Sequence, residues 1–147
     1  MKDAFSERVL PAPTTYLALS LSVPMVLLAA LPFGLEIAIA LSTLVGLSLT
    51  ALATALAPKI EVSEGQLTAG RFAIPLQFIG DATALDPDES RFARGPGLNA
   101  NARLMLRGDI PNLVKIEIVD ASDPTPYILI STRRGDELVG ALRANRA

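Results

Sequence analysis

Residues 14–57 read TTYLALSLSVPMVLLAALPFGLEIAIALSTLVGLSLTALATALA. These are two apolar runs, 14–31 and 35–57, joined at Leu31-Pro32-Phe33-Gly34. The first has no charged residue, and the second has only Glu36, at its edge. Uncharged runs of about 18 or more residues are long enough to cross a bilayer as helices. The expected element is therefore a transmembrane hairpin. The first run is longer than a signal-peptide core, a second run follows almost at once, and no Ala-x-Ala-like site is suitably placed, so an uncleaved helix is favoured.

Within the hairpin, Pro24 predicts a kink, because it lacks the N–H for a helical bond. Tyr16 is placed for a membrane interface. Ala38, Ser42, Gly46, Thr50 and Thr54 recur every four residues and form a stripe of small side chains that permits close helix approach. Packing on the first helix, with Ala18 and Ser22 facing the stripe, accounts for it; homo-oligomerisation is the rival reading. Neither span has an ionisable residue in its interior, so ion coupling and proton relay have no visible carrier.

Outward from the hairpin, Lys2 and Arg8 precede the first run, Lys59 and Arg71 follow the second, and the connecting loop has no Lys or Arg. The positive-inside rule then puts both termini in the cytoplasm, in a multi-pass protein of the inner (plasma) membrane. Residues 1–13 read as a polar, Pro-containing cytoplasmic tail. Residues 58–147 suffice for one small cytoplasmic domain.

That domain carries 11 Lys+Arg against 12 Asp+Glu, a balance that argues against nucleic-acid binding through bulk charge. The chain has no Cys and no His, which removes disulfides, thiolate metal sites, and the commonest general base and metal ligand. Alternation at Lys59-Ile60-Glu61-Val62, a Glu64-Gly65 turn and Gln66–Ala69 read as a hairpin. Phe72 to Ile79, interrupted by Pro75, reads as an edge or bend. Leu104–Leu106, Val114–Val119 and Tyr127–Ser131 read as later strands. A helix from Gly135 to about Asn145 follows, with Leu138, Val139 and Leu142 on one face. The expected fold is α+β: six or seven strands in a strongly bent antiparallel sheet closed by the C-terminal helix. That arrangement resembles the pleckstrin-homology-like (PH-like) architecture.

Asp86-Pro87-Asp88-Glu89 is the best metal candidate but lacks the spacing of an EF-hand, and a helix cap by Asp86 or Asp88 explains it better. Gly95-Pro96-Gly97 lacks the Lys-Ser/Thr of a phosphate loop and reads as a plain loop. No Ser has a His base, and no cofactor motif occurs. Arg91, Arg94, Arg103, Arg107, Arg133 and Arg134 could contact anionic headgroups or a partner if they converge, Arg103 and Arg107 sharing one strand face. Pairing with the domain's carboxylates is the simpler reading.

The most distinctive segment is Asp123-Pro124-Thr125-Pro126-Tyr127-Ile128-Leu129-Ile130-Ser131-Thr132-Arg133, a stiff turn feeding a buried strand. It resembles the Asp-Pro-Thr-Pro-Tyr-Trp-x-x-Ser-Thr-Arg motif of an uncharacterised, mainly actinobacterial group of small membrane proteins (domain of unknown function 3093). Glu7-Arg8-Val9-Leu10-Pro11, Gly65-Gln66-Leu67 and Ile74-Pro75-Leu76 are similar to three further motifs of that group. Ile128 stands where Trp is usual, and Gly135 where Pro often begins the helix. The resemblance implies the two-span architecture and membrane location, and no activity. The functional expectation is a non-enzymatic membrane protein, bound to the lipid bilayer, whose cytoplasmic domain is a protein-interaction module or accessory subunit. The alternative is an anionic-lipid or small-anion sensor that uses the arginines.

Overall fold

The computed structural model describes residues 5–146; Lys2, one of the charges counted for orientation, lies outside them. The chain forms two units. One is the hairpin, Leu10–Ala57; the other joins the described residues up to Val9 with those from Pro58 onward.

In the hairpin, α1 (Pro13–Ser20) and α2 (Ser22–Ala30) make up the first arm, and α3 (Leu35–Ala55) the second. The arm is interrupted at Leu21, one turn before Pro24, because Pro24 has no N–H to give the Ser20 carbonyl. A 3₁₀ turn at Leu31–Phe33 and Gly34, at φ 108°, reverse the chain. Pro13–Phe33 and Leu35–Ala55, 21 residues each, are long and apolar enough to cross a membrane. The stripe on α3 faces the first arm at Ala38 and Ser42, which are buried. At Gly46 a Cβ would come within 2.7 Å of Val23 Cγ2, so only Gly permits this approach. Thr50 and Thr54 return their hydroxyls to the carbonyls of Gly46 and Thr50, and Thr54 also bonds Tyr16 Oη at 3.1 Å. Tyr16 thus ties the arms together. Ala18, expected on the packing face, is exposed; Val23 fills that role.

The second unit begins with a strand where a polar tail is expected. β1 (Phe5–Arg8) pairs antiparallel with β2 (Lys59–Ser63), Phe5 opposite Val62 and Arg8 opposite Lys59. β3 (Gln66–Ala69) and β4 (Phe72–Pro75) complete an antiparallel meander. Glu64 (φ 50°) and Gly65 (φ 76°) make the β2–β3 turn, both left-handed as a two-residue hairpin of right-handed twist demands. Pro75 and a 3₁₀ turn at Leu76–Phe78 end the ladder.

The expected single bent sheet is therefore two. The second has the order β5 (Ile79–Leu85), β7 (Leu113–Ile118), β8 (Tyr127–Ser131), β6 (Arg103–Met105). It is mixed, since β6 runs parallel to β8. Between β5 and β6 lies α4 (Pro87–Ala93); α5 (Gly135–Asn145) ends the fold. Ile60, Val62 and Leu67 from the first sheet, Val114, Ile116, Ile128 and Ile130 from the second, and Leu138 and Leu142 from α5 share one core. The α5 helix packs on strands of both sheets, and Arg143 and Arg146 donate to the carbonyls of Ala82 and Gly80 on β5.

Candidate functional site

β8 is buried on both faces. Its Ile128 and Ile130 face the main core. Leu129, with Leu113 of β7, is buried on the opposite face, outside that core. The segment 86–99, α4 and the loop after it, forms a lid on this opposite face, and its anchoring is local and polar. Asp86 caps α4: its Oδ1 accepts from the Glu89 N–H at 2.7 Å, and Glu89 Oε2 accepts from the Asp86 N–H at 3.0 Å. This reciprocal box occupies the acidic cluster read as a weak metal candidate, and no metal-holding group of acidic residues occurs among the described residues. Buried Ser90 accepts from the Leu113 N–H at 3.0 Å. Arg94 donates to the Pro111 carbonyl at 3.2 Å. Tyr127 Oη accepts from the Asn99 N–H at 2.8 Å and donates to the Gly97 carbonyl at 3.3 Å.

Between lid and sheet is a cleft of ≈ 450 Å³, lined by Leu85, Phe92, Gly97, Lys115 and Tyr127, with Asp88 and Glu89 from α4. It joins three features that the sequence presents separately: the acidic cluster, the Gly95-Pro96-Gly97 loop and Tyr127 of the closing motif. At Gly97 a Cβ would lie 2.5 Å from Phe92 Cε1, so the glycine lets the ring lie against the loop. Phe92 is still 62 % exposed. Lys115 Nζ sits 4.6 Å from the centroid of the Tyr127 ring, a cation–π contact. The walls are largely apolar with a few polar groups, the composition common to ligand pockets. Lys115 and Phe92 were not singled out by sequence. Lys115 looks like the solvated half of an alternating strand, and only the lid makes that face the wall of a cleft.

The six arginines are spread over α4, β6 and the segments flanking β6 and β8. Arg91 lies 4.0 Å from Asp88, both exposed. Arg103 pairs with Asp123 at 2.8 Å and lies over Phe72. β6 ends at Met105, so Arg107 does not share a strand face with Arg103; it pairs with Asp109 at 3.1 Å. Arg134 pairs with Glu137, donates to the Ser6 carbonyl at 3.2 Å and lies over Phe5. The Arg133 backbone N–H donates to Glu7.

A smaller hollow of ≈ 150 Å³ sits at the closing turn, lined by Ile74, Phe78, Arg103, Asp123 and Ile128 among others. The Thr125 hydroxyl and backbone N–H, then the Arg103 charge, hold the Asp123 carboxyl below its ordinary value against the opposing effect of burial.

Two segments far apart in the sequence meet at Glu7. Its buried carboxylate accepts from Thr132 Oγ1 and from the Arg133 N–H at 3.3 Å. The early Glu-Arg lead and the closing Ser-Thr-Arg are thus one structural unit. The model of the family described as Protein of unknown function (DUF3093) matches residues 4–142. The chain belongs to that family. The DUF3093 match runs through β1, the hairpin, both sheets and the core-facing part of α5, and so includes the cleft. No curated protein and no solved structure matches the chain.

Proposed function

We propose that this DUF3093 protein is a non-enzymatic integral membrane protein whose domain acts as an interaction module or accessory subunit at the inner membrane. The observation that carries the reading is the α4 cleft: a preformed, aromatic-walled recess with Phe92 projecting at its lip. Exposed aromatics beside a concave surface are the usual anchors of protein recognition. The domain is taken as cytoplasmic, with both termini on that side, because Arg8, Lys59 and Arg71 flank the spans and the connecting turn has no cation. The antiparallel meander, second sheet and terminal helix support the PH-like analogy, from which β6 departs, and the analogy carries no function. Protein is preferred over lipid as partner because Arg91, Arg103, Arg107 and Arg134 already have carboxylates beside them.

The test replaces Phe92 with a photo-reactive phenylalanine analogue in the full chain in native membranes, with the same analogue at exposed Val119 as control. A discrete protein adduct is expected at Phe92 alone. Absence of any adduct there, or equal adducts at both positions, would overturn the reading.

A further inference from the structure

We propose that the α4 cleft recognises a partner segment presenting a carboxylate beside an aromatic or branched apolar side chain. This rests on the interaction reading above and gives the partner's chemistry. Among the described residues, Lys115 is the one cation lining the cleft. It lies mid-strand on β7, opposite buried Leu129, and its ammonium is held over the Tyr127 ring. No ion pair involves Lys115 among the described residues, whereas Lys59, Arg103, Arg107 and Arg134 each have a carboxylate beside them. A half-buried ammonium against aromatic carbon is poorly hydrated, so an incoming carboxylate gains more there than at an open surface.

The two carboxylates of the cleft do not cancel this attraction. Glu89 is exposed as well as hydrogen-bonded to the Asp86 N–H in the cap, so its charge is screened by water and salt. Asp88 has a side chain 93 % exposed, where water and salt screen it. A cationic partner would meet the half-buried Lys115, with Asp88 and Glu89 both exposed and screened. The remaining walls, Leu85, Phe92 and the Tyr127 ring, offer apolar area next to the ammonium. The volume, ≈ 450 Å³, falls within the ~300–1,000 Å³ of small-ligand pockets, room for a few side chains rather than a whole helix.

The experiment uses the full chain in nanodiscs to select from a random seven-residue peptide display library, with empty nanodiscs as counter-selection. The enriched pool should place Asp or Glu next to Phe, Tyr or Leu. A synthetic member of that pool should bind Lys115→Glu at least about tenfold more weakly, as expected for loss of a close charge pair. Phe92→Ser, a change at an exposed position, should also weaken it. Selection on Lys115→Glu should move the pool toward Lys or Arg. A pool without acidic residues, a pool unchanged by Lys115→Glu, or no enrichment on folded wild-type chain would overturn the inference. The two readings fail separately. A Phe92 photo-adduct undiminished by Lys115→Glu sinks the carboxylate chemistry and keeps the module. Acidic peptides selected without any adduct in membranes do the reverse.

Discussion

Glu7 lies on β1 among inward-facing neighbours Phe5 and Val9, and its carboxylate is satisfied by Thr132 Oγ1 and the Arg133 N–H. Removing it leaves a buried hydroxyl and an amide without their acceptor, which costs about 1–3 kcal/mol. Glu7→Ala should lower the urea midpoint of the full chain in mild detergent accordingly. Thr132→Val combined with it should add less than its own separate cost, because the two share one bond; strict additivity would show that they are uncoupled. The second prediction concerns acid. Asp123 is held below its ordinary value chiefly by Thr125, Glu61 by the Lys59 side chain and Glu137 by the Arg134 side chain. A carboxyl lowered in the folded state contributes stability above its unfolded value, about 4, and that contribution is lost as pH falls through the folded value. Stability should therefore decline below about pH 4, and Asp123→Asn should flatten part of that decline in a denaturation series against pH. An unchanged acid limb would show that the Asp123 network is not linked to folding. Charge spacing does not disclose such residues: Glu7 reads as polar tail until Thr132, 125 positions away, is brought to it.

At the scale of elements, the α3 stripe was legible because a four-residue repeat of small side chains has one physical use, close helix approach. The sequence reads the partner as the first helix, with a second copy as the rival, and in the structure Val23 of the first arm lies over Gly46. Gly46→Leu should force the arms apart and lower the thermal midpoint in detergent well below that of Ala40→Leu, which alters an exposed position; equal midpoints would remove the stripe from the packing. The α5 helix and β8 were found with their present bounds, because helical and strand periodicities are local signals. β1 and β5 as a full strand leave no clear mark in the sequence, while α4 is legible only as a short turn capped by Asp86 or Asp88. β1 carries an inward Glu7 that breaks the apolar alternation. β5 contains Gly80, Asp81 and a register shift between Ile79 and Ala82 that blur its period. The α4 helix is only seven residues long, and its signal was the Asp86…Glu89 capping box rather than any apolar face.

For the whole molecule, β1 makes the second unit discontinuous in sequence. Val9 N donates to the Pro58 carbonyl at 2.8 Å, so the two residues flanking the hairpin lie side by side. Joining Val9 to Pro58 through a linker of about two to four Gly-rich residues, a common hairpin length, should give a soluble, folded domain. Residues 58–147 alone should aggregate, since loss of Phe5, Val9 and the β1 ladder bares apolar core and an edge of β2. Sedimentation and circular dichroism of the two proteins decide it. A well-behaved 58–147 fragment would mean that β1 is dispensable.

The residues alone determined the two apolar spans, the α+β character of the remainder, most strand positions and the terminal helix, because length, hydropathy and periodicity act over a few neighbouring positions. Only the tertiary structure decided that residues 5–9 belong to the domain after the hairpin, that the sheet is two sheets with a parallel edge, and that Lys115, Phe92 and Tyr127 share a cleft. Those outcomes depend on contacts between residues far apart in sequence, whose pairing follows from which surfaces can be buried together and leaves no mark on local spacing.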